Sequence, residues 1–97
     1  MHARVVISQM QLAKVDEGIN LVRDSVAPAA KQQQGFKGIL SLADRNTGKG
    51  ISITMWETEA DMKAGEASGY LQEQIAKFSA IFAAPPTTEH YEVIVQV

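Results

Sequence analysis

Side chains able to bind or transform a small molecule are spread along this chain rather than gathered in one motif. Eight residues qualify as candidates for ligand binding, and none can be assigned a catalytic role: Arg4, Ser8, Ser52, Thr54, Trp56, Tyr70, His90 and Glu92. An indole can stack on an aromatic ligand, and an imidazole can act as a general base near neutral pH. Trp56, the only tryptophan, is therefore the candidate contact for an aromatic ring, and His90 is the candidate base.

Each candidate also has a plainer structural interpretation. Packing at the edge of the fold is the commoner role for a lone tryptophan, and exposure is commoner for a histidine without a fixed carboxylate partner. Tyr70 stands beside a predicted helix break at Gly69, where it either gates a pocket or covers the core. The arginine, hydroxyl and glutamate candidates either line a cavity or form hydrogen bonds across an interface.

The composition argues against several classes of function. The chain has no cysteine and only two isolated histidines, His2 and His90, so we expect no metal and no cofactor. A net charge of −2 without a basic stripe argues against nucleic-acid binding. No apolar run approaches the roughly 20 residues that span a bilayer, and the N-terminus does not resemble a signal peptide. We therefore expect a cytoplasmic protein without membrane contact.

The stretch from Gly35 to Trp56 predicts a β-hairpin, around which the other elements can be placed. Two β-rich runs flank the turn cluster at residues 46–50, Asn-Thr-Gly-Lys-Gly, where glycine and asparagine accept positive φ. A loop of roughly 4–5 residues fits this pattern. The cluster lacks the spacing of a phosphate-binding loop, and a strand rather than a helix follows it.

The remaining elements surround this hairpin within one domain, residues 1–97. Alternation predicts a first strand over residues 3–10 and a last strand over residues 90–97. Helical periodicity predicts a helix from about Asp16 to Gln33, bent at Pro28, and a second helical region after the Thr58 cap, broken at Ser68-Gly69. The order β-α-β-β-α-β predicts an α+β fold: a four-stranded antiparallel sheet with both helical regions on one face.

Alternation along the strands separates two faces of the predicted sheet. One face is almost wholly apolar, and we expect it to lie under the helices: Val5, Ile7, Phe36, Leu40, Leu42, Ile51, Ile53, Met55, Tyr91, Val93, Val95 and Val97. The opposite face mixes apolar, hydroxyl and charged groups: Arg4, Val6, Ser8, Met10, Lys37, Ile39, Ser41, Ala43, Ser52, Thr54, Trp56, His90, Glu92, Ile94 and Gln96. This mixture predicts a face that packs against a partner and encloses a partly polar cavity.

The mixed face also predicts a homodimer. In a monomer it would leave large apolar side chains in water: Val6, Ile39, Trp56 and Ile94. Burying each is worth about 1.5–3 kcal/mol, which favours an isologous interface. The register of the second strand is ambiguous by one residue because Phe36 and Gly38 fit either pairing.

Short motifs at the two ends of the hairpin carry a family resemblance. The Gly35-Phe36-Lys37-Gly38 sequence opens the second strand, and the Trp56-Glu57-Thr58 sequence ends the third. With the topology, these resemble the antibiotic-biosynthesis-monooxygenase (ABM) family over nearly the whole chain. The resemblance implies a ferredoxin-like subunit, a dimeric α/β barrel, and a pocket between sheet and helices.

The resemblance implies a small-molecule enzyme or binder that acts on an aromatic, hydrophobic metabolite. The candidate activity is a cofactor-independent monooxygenase, and the alternative is a non-catalytic dimeric α/β-barrel protein with a binding or stress-associated role. Haem-degrading members carry an asparagine on strand one and a tryptophan and a histidine in the second helical region. The corresponding positions here are Ser8, Gly65 and Ile75, so haem binding is not expected.

Overall fold

Four antiparallel strands form one sheet in the computed structural model, which describes all 97 residues. The strand order is β2-β3-β1-β4, and the bounds are β1 (His2–Gln9), β2 (Phe36–Ala43), β3 (Lys49–Trp56) and β4 (Thr87–Glu92). β1 lies inside the sheet and pairs with both β3 and β4. The predicted order of elements and the α+β fold class are confirmed.

The first helical region contains a π-helical segment just before its proline. A 3-10 turn (Leu12–Lys14) leads into α1 (Val15–Leu21), the π-helical segment (Val22–Val26) and α2 (Ala27–Lys31). The backbone N–H of Ala27 donates to the carbonyl of Val22, five residues earlier. Pro28 has no N–H to donate, and its ring crowds the carbonyl four residues before it. The interruption predicted at Pro28 therefore takes the form of this wider turn, of a kind often found at functional sites.

The second helical region consists of two short helices, as predicted. α3 (Glu59–Ala67) begins at Thr58, whose hydroxyl accepts the backbone N–H of Asp61 at 3.0 Å. Gly69 then adopts φ +86°, which is inexpensive only for glycine, and α4 (Tyr70–Ala76) follows it. This break places Tyr70 at the start of a new helix that lies over the sheet.

The hairpin between β2 and β3 closes around Gly48. The N–H of Gly48 donates to the carbonyl of Asp44, and the N–H of Asp44 donates to the carbonyl of Lys49, both at 2.8 Å. A β-bulge between Phe36 and Gly38 resolves the ambiguous register of β2. Phe36 pairs with Trp56 before the bulge, so it lies on the mixed face rather than on the apolar face as predicted.

The helices cover the mixed face of the sheet, so the prediction that they cover the apolar face is wrong. Arg4 and Trp56, both of the mixed face, are almost completely buried. Leu40, Leu42 and Tyr91, of the apolar face, are 53%, 50% and 52% exposed. The prediction assumed that the more apolar face must take the helices. That assumption fails because the helices enclose a cavity with a partly polar wall.

The last strand ends earlier than predicted. β4 spans Thr87–Glu92, and Glu92 pairs with His2, the first residue of β1. After Glu92 only one backbone hydrogen bond joins the two segments, from the N–H of Val93 to the carbonyl of Met1. Residues 94–97 have no strand to pair with, although their alternation is typical of a strand.

A small apolar cluster closes one end of the space between sheet and helices. Its buried members are Met10, Val15, Phe78 and Ile81. Phe78 and Phe82 stack with ring centroids 5.0 Å apart. None of the helices combines the length and apolar character that a membrane crossing requires.

We predict that Gly48→Ala destabilises the fold more than Gly69→Ala. Gly48 has φ +80° and Gly69 has φ +86°. An alanine at either position would therefore adopt a left-handed backbone conformation, which costs about 1–2 kcal/mol. A Cβ at Gly48 would lie 2.4 Å from the carbonyl oxygen of Met10, whereas a Cβ at Gly69 meets nothing within 4 Å. Urea unfolding of the two variants measures the difference, and equal losses of stability would contradict the prediction.

Candidate functional site

A cavity of about 480 Å³ lies between the mixed face of the sheet and the two helical regions. Most of its lining is apolar, with 15 hydrophobic residues among 25. The sheet contributes polar and apolar side chains, among them Arg4, Val6, Ser8, Ile39, Ser52 and Thr54. The helices contribute mainly apolar side chains, among them Ile19, Val22, Val26, Leu71 and Ile75, and the turn after α4 contributes Phe78. An enclosed, mostly apolar space with a few polar groups is the usual composition of a small-molecule site.

Arg4 is the buried charge of this cavity. The residue lies on the central strand β1 and is 2% exposed. Its Nη1 donates to the carbonyl of Met62 in α3 at 2.8 Å and lies 3.5 Å from a carboxylate oxygen of Glu66. Its guanidinium carbon lies 5.1 Å from the ring centroid of Trp56. These contacts fix the guanidinium between sheet and α3 at the cavity wall.

Trp56 supports Arg4 and does not line the cavity. It is 0% exposed, and its indole N–H donates to the hydroxyl of Thr54 at 2.9 Å. Its ring also meets Phe36 edge to face, with centroids 5.9 Å apart. The prediction that the ring leaves the helix-covered side and offers a stacking surface is wrong, because the helices cover this face. The single tryptophan instead forms the support beneath the buried guanidinium.

Burial and neighbouring charge act in opposite directions on the pKa values of Arg4 and Tyr70, two titratable residues of the wall. Burial lowers the pKa of the Arg4 guanidinium, and the nearby Glu66 carboxylate opposes that shift. Burial raises the pKa of the Tyr70 hydroxyl, and the positive charge of Arg4 opposes that shift. An arginine stays protonated in proteins, so Arg4 presents a full positive charge to the cavity.

The predicted hydroxyl residues are brought together on the cavity wall. Ser8, Ser52 and Thr54 line it with Arg4, and Tyr70 lines it from the helical side. The hydroxyl of Ser52 pairs with that of Ser41 at 2.8 Å. The hydroxyl of Thr54 is already used as acceptor by the indole of Trp56. Five of the eight predicted residues therefore share one cavity.

The two predicted residues of the last strand lie outside the cavity lining. His90 sits directly across from Arg4 in the β1–β4 pairing, and its Nε2 lies 2.8 Å from a carboxylate oxygen of Glu66. His90 was predicted to begin the last strand, but it lies in the interior of β4. Glu92 is exposed at the end of β4. Glu66 thus stands between the histidine and the buried arginine.

Several cavity residues were missed by the sequence interpretation. Arg23 and Arg45 line the cavity as exposed residues, Gln74 lines it as a buried one, and Ile75 completes the wall beside it. The helical periodicity of the sequence puts Arg23 on the polar side of an ideal helix, away from the sheet. The π-helical segment changes the direction of side chains around the helix axis, so Arg23 reaches the cavity. The proline two residues after the segment was the feature of the sequence that could have indicated this change.

The cavity wall contains no imidazole, thiol or carboxylate. None of its lining residues is histidine, cysteine, aspartate or glutamate. The chain also has no group of three or more such side chains that could hold a metal ion. The wall can therefore enclose an apolar body, donate hydrogen bonds from hydroxyls, and supply positive charge from a guanidinium.

Comparison with known sequences finds uncharacterised relatives. No family model matches the chain. The uncharacterized protein Rv2557 of Mycobacterium tuberculosis (strain ATCC 25618 / H37Rv) is 32% identical over 97 residues. The match covers 96% of this chain and 41% of that protein, so the chain spans about two-fifths of its relative's length.

Comparison with solved structures identifies the fold. A candidate antibiotic biosynthesis monooxygenase from Deinococcus radiodurans superposes with a TM-score of 0.78 at 15% identity, over 100% of this chain and 96% of that one. The chain has the ABM fold. A monooxygenase of Streptomyces coelicolor, solved with the ligand nanaomycin D, superposes with a TM-score of 0.73 at 17% identity, over 99% and 89% of the two chains.

A third structure shows that this fold can also hold porphyrins. A variant of MhuD, solved with two manganese protoporphyrin IX molecules per active site, superposes with a TM-score of 0.78 at 16% identity. It covers 100% of this chain and 98% of that one. In the present cavity the position expected to carry a haem-ligating histidine is Ile75, a wall residue without a ligating atom.

We predict that haemin does not bind with axial ligation at one haem per chain. The reason is that neither histidine reaches the cavity wall. Titration with haemin followed at the Soret band measures this, and Ile75→His, which adds an imidazole to the wall, is the matched control. A saturable Soret shift at one haem per wild-type chain would contradict the prediction. Loss of that shift in Tyr70→Phe would then identify the tyrosine as the ligand.

Proposed function

We propose that this ABM-fold domain binds an aromatic, hydrophobic metabolite in the cavity beneath its helices. The observation that carries the proposal is the cavity itself, about 480 Å³ in volume and mostly apolar, with Arg4, Ser8, Ser52 and Thr54 on its sheet side. Drug-sized and metabolite-sized ligands occupy sites of roughly 300–1,000 Å³. The Streptomyces coelicolor monooxygenase solved with nanaomycin D supports a small-molecule role, since a protein of this fold binds an organic ligand.

The candidate activity is oxygenation without a cofactor. In such a reaction the substrate itself reduces O₂. One oxygen atom replaces two hydrogens on a ring methylene carbon to form a carbonyl, and the other leaves as water. The chain would bind and orient the substrate, exclude bulk water with its apolar wall, and stabilise developing negative charge on substrate oxygen through Arg4.

The alternative is a non-catalytic binding role, and one observation favours it. The wall carries no histidine, aspartate or glutamate that could remove a proton from the substrate. A catalytic role then requires a substrate acidic enough to ionise beside Arg4 without a protein base. A binding role has no such requirement.

Anthrone oxidation separates the two functions. Anthrone is a tricyclic ketone whose methylene carbon becomes the second carbonyl of anthraquinone when it takes one atom from O₂. With a metal chelator present, we expect the wild type to raise oxygen uptake and anthraquinone formation at least tenfold over buffer. Ile75→Trp, which fills the cavity, is the matched control and should lower the rate towards that of buffer.

The outcomes of this experiment differ for the two roles. Anthraquinone binding by calorimetry without rate enhancement would overturn the enzymatic role and leave the binding role. Absence of both binding and turnover would contradict the use of this cavity for aromatic metabolites. Equal rates in the wild type and Ile75→Trp would place the reaction outside the cavity.

The open apolar face of the sheet supports a homodimer. The dimer had been predicted through the mixed face, but that face is covered by the protein's own helices. The exposed side chains now available are Leu40, Leu42 and Tyr91, each about half exposed, with Ile51 and Ile53 between them. Burying such side chains contributes on the order of 1.5–3 kcal/mol each, and a pair of identical faces gives an isologous interface.

We predict that Leu40→Glu converts a dimer into a monomer. The variant would bury two carboxylates in an apolar interface, one from each subunit, and both would lose their hydration. The dimer dissociation constant should therefore rise by at least about a hundredfold. Leu12→Glu is the matched control, because Leu12 is 60% exposed but lies off the sheet. Light scattering at micromolar concentration measures the mass, and a monomeric wild type would contradict the proposal.

A further inference from the structure

The charged residues of the cavity wall are all of one sign. Three arginines line it, Arg4, Arg23 and Arg45, and no aspartate or glutamate does. The chain as a whole has 11 acidic and 9 basic side chains, so its net charge is −2. The positive wall is therefore a local arrangement and does not follow from the composition. Field lines are focused in a low-dielectric cleft of this kind, which attracts ions of opposite sign.

The innermost of these charges has unused donors. A guanidinium carries five N–H groups, and only those on Nη1 of Arg4 have a protein acceptor. The Nε of Arg4 is buried and has no hydrogen-bond partner. Buried polar groups are nearly always satisfied by protein or bound molecules, and a charged group most of all.

The nearest counter-charge is shared with another residue. Glu66 lies 3.5 Å from Nη1 of Arg4, at the limit of a hydrogen bond, but only 2.8 Å from Nε2 of His90. Its carboxylate therefore makes its shorter contact with the histidine and not with the arginine. The ion pair between Arg4 and Glu66 is therefore long, and it engages only Nη1 of the guanidinium.

The other two arginines are balanced at the surface. Arg23 binds Asp24 at 2.9 Å, and Arg45 pairs with Asp16. Both arginines are about two-thirds exposed, so each interacts weakly and is screened by salt. They therefore contribute little net charge to the cavity, and Arg4 is the arginine placed to bind an anion inside it.

Resting on the function proposed above, we infer that the ligand is a planar aromatic monoanion whose oxyanion is bound by Arg4. The oxyanion is a carboxylate or an ionised enol or phenol carried directly by the ring system. One incompletely balanced guanidinium matches one negative charge, and the apolar remainder of the wall matches the rings. A buried charge-assisted pair of this kind is stronger than a neutral hydrogen bond. The planar guanidinium also matches the planar geometry of a carboxylate.

Two pairs of probes test this inference on the whole chain by calorimetry at pH 7. The first pair is 2-naphthoate and neutral 2-naphthamide. The second is 2-hydroxy-1,4-naphthoquinone, which is ionised at pH 7, and its neutral 2-methoxy derivative. We expect each anion to bind the wild type at least tenfold more tightly than its neutral counterpart. The second pair shows whether an enolate is accepted as well as a carboxylate.

Arg4→Met should remove this preference. The expected result is that the affinities of the variant for 2-naphthoate and 2-naphthamide differ by less than threefold. Lys37→Met is the matched control, because it removes the same charge at an exposed site paired with Glu57 and outside the cavity. It should leave both affinities unchanged.

The inference and the proposed function fail in different ways. Equal affinity of the wild type for anion and amide, with both lost in Ile75→Trp, would overturn the anionic ligand but keep the cavity as an aromatic binding site. Binding that Ile75→Trp does not alter would overturn the proposed function itself. If Arg4→Met does not fold, the wild-type comparison within each probe pair still decides between a charged and a neutral ligand.

Discussion

The burial of one guanidinium is the constraint on which the arrangement of this protein depends. Arg4 stands on the central strand with 2% of its surface exposed, and a charge in such a position must be held by polar contacts or be strongly destabilising. α3 supplies the Met62 carbonyl, and the end of β3 supplies the Trp56 ring. Sheet and second helical region are therefore joined through a polar contact, and the space next to that contact cannot be filled by apolar packing alone. The cavity is the consequence.

The same constraint separates the two faces of the sheet. The face with the arginine and the hydroxyls is covered by the protein's own helices, where α3 and the hydroxyl residues can satisfy its polar groups. The face composed of aliphatic side chains needs no hydrogen-bond partners and stays open, with Leu40 and Leu42 half exposed. An aliphatic face can be buried by an identical face without leaving polar groups unpaired. The enclosed site and the surface proposed for dimerisation thus occupy opposite sides of one four-stranded sheet.

Helix irregularities complete the cavity on its other side. Pro28 removes one backbone donor, and the preceding turn widens into the π-helical segment that carries Val22 and Val26 to the wall. Gly69 interrupts the second helical region with positive φ, and Tyr70 begins the next helix at the cavity. Both irregularities depend on residues with unusual backbone properties, so both were visible as breaks in the sequence. Their effect on the direction of neighbouring side chains was not.

The sequence alone was sufficient for the order of elements, the hairpin turn, the Thr58 cap, the break at Gly69 and the alternation that groups Arg4 with Ser8, Ser52 and Thr54. These features are local, because they follow from backbone freedom, capping chemistry and the two-residue period of a strand. Only the tertiary structure decided which face the helices cover, since that choice depends on whether α3 offers an acceptor to Arg4, a contact across 58 residues of sequence. It also decided that Trp56 packs beside the Arg4 guanidinium rather than on the cavity wall and that residues 94–97 lie beyond β4. Each outcome depends on what a distant segment places beside the residue, which periodicity along one strand does not contain.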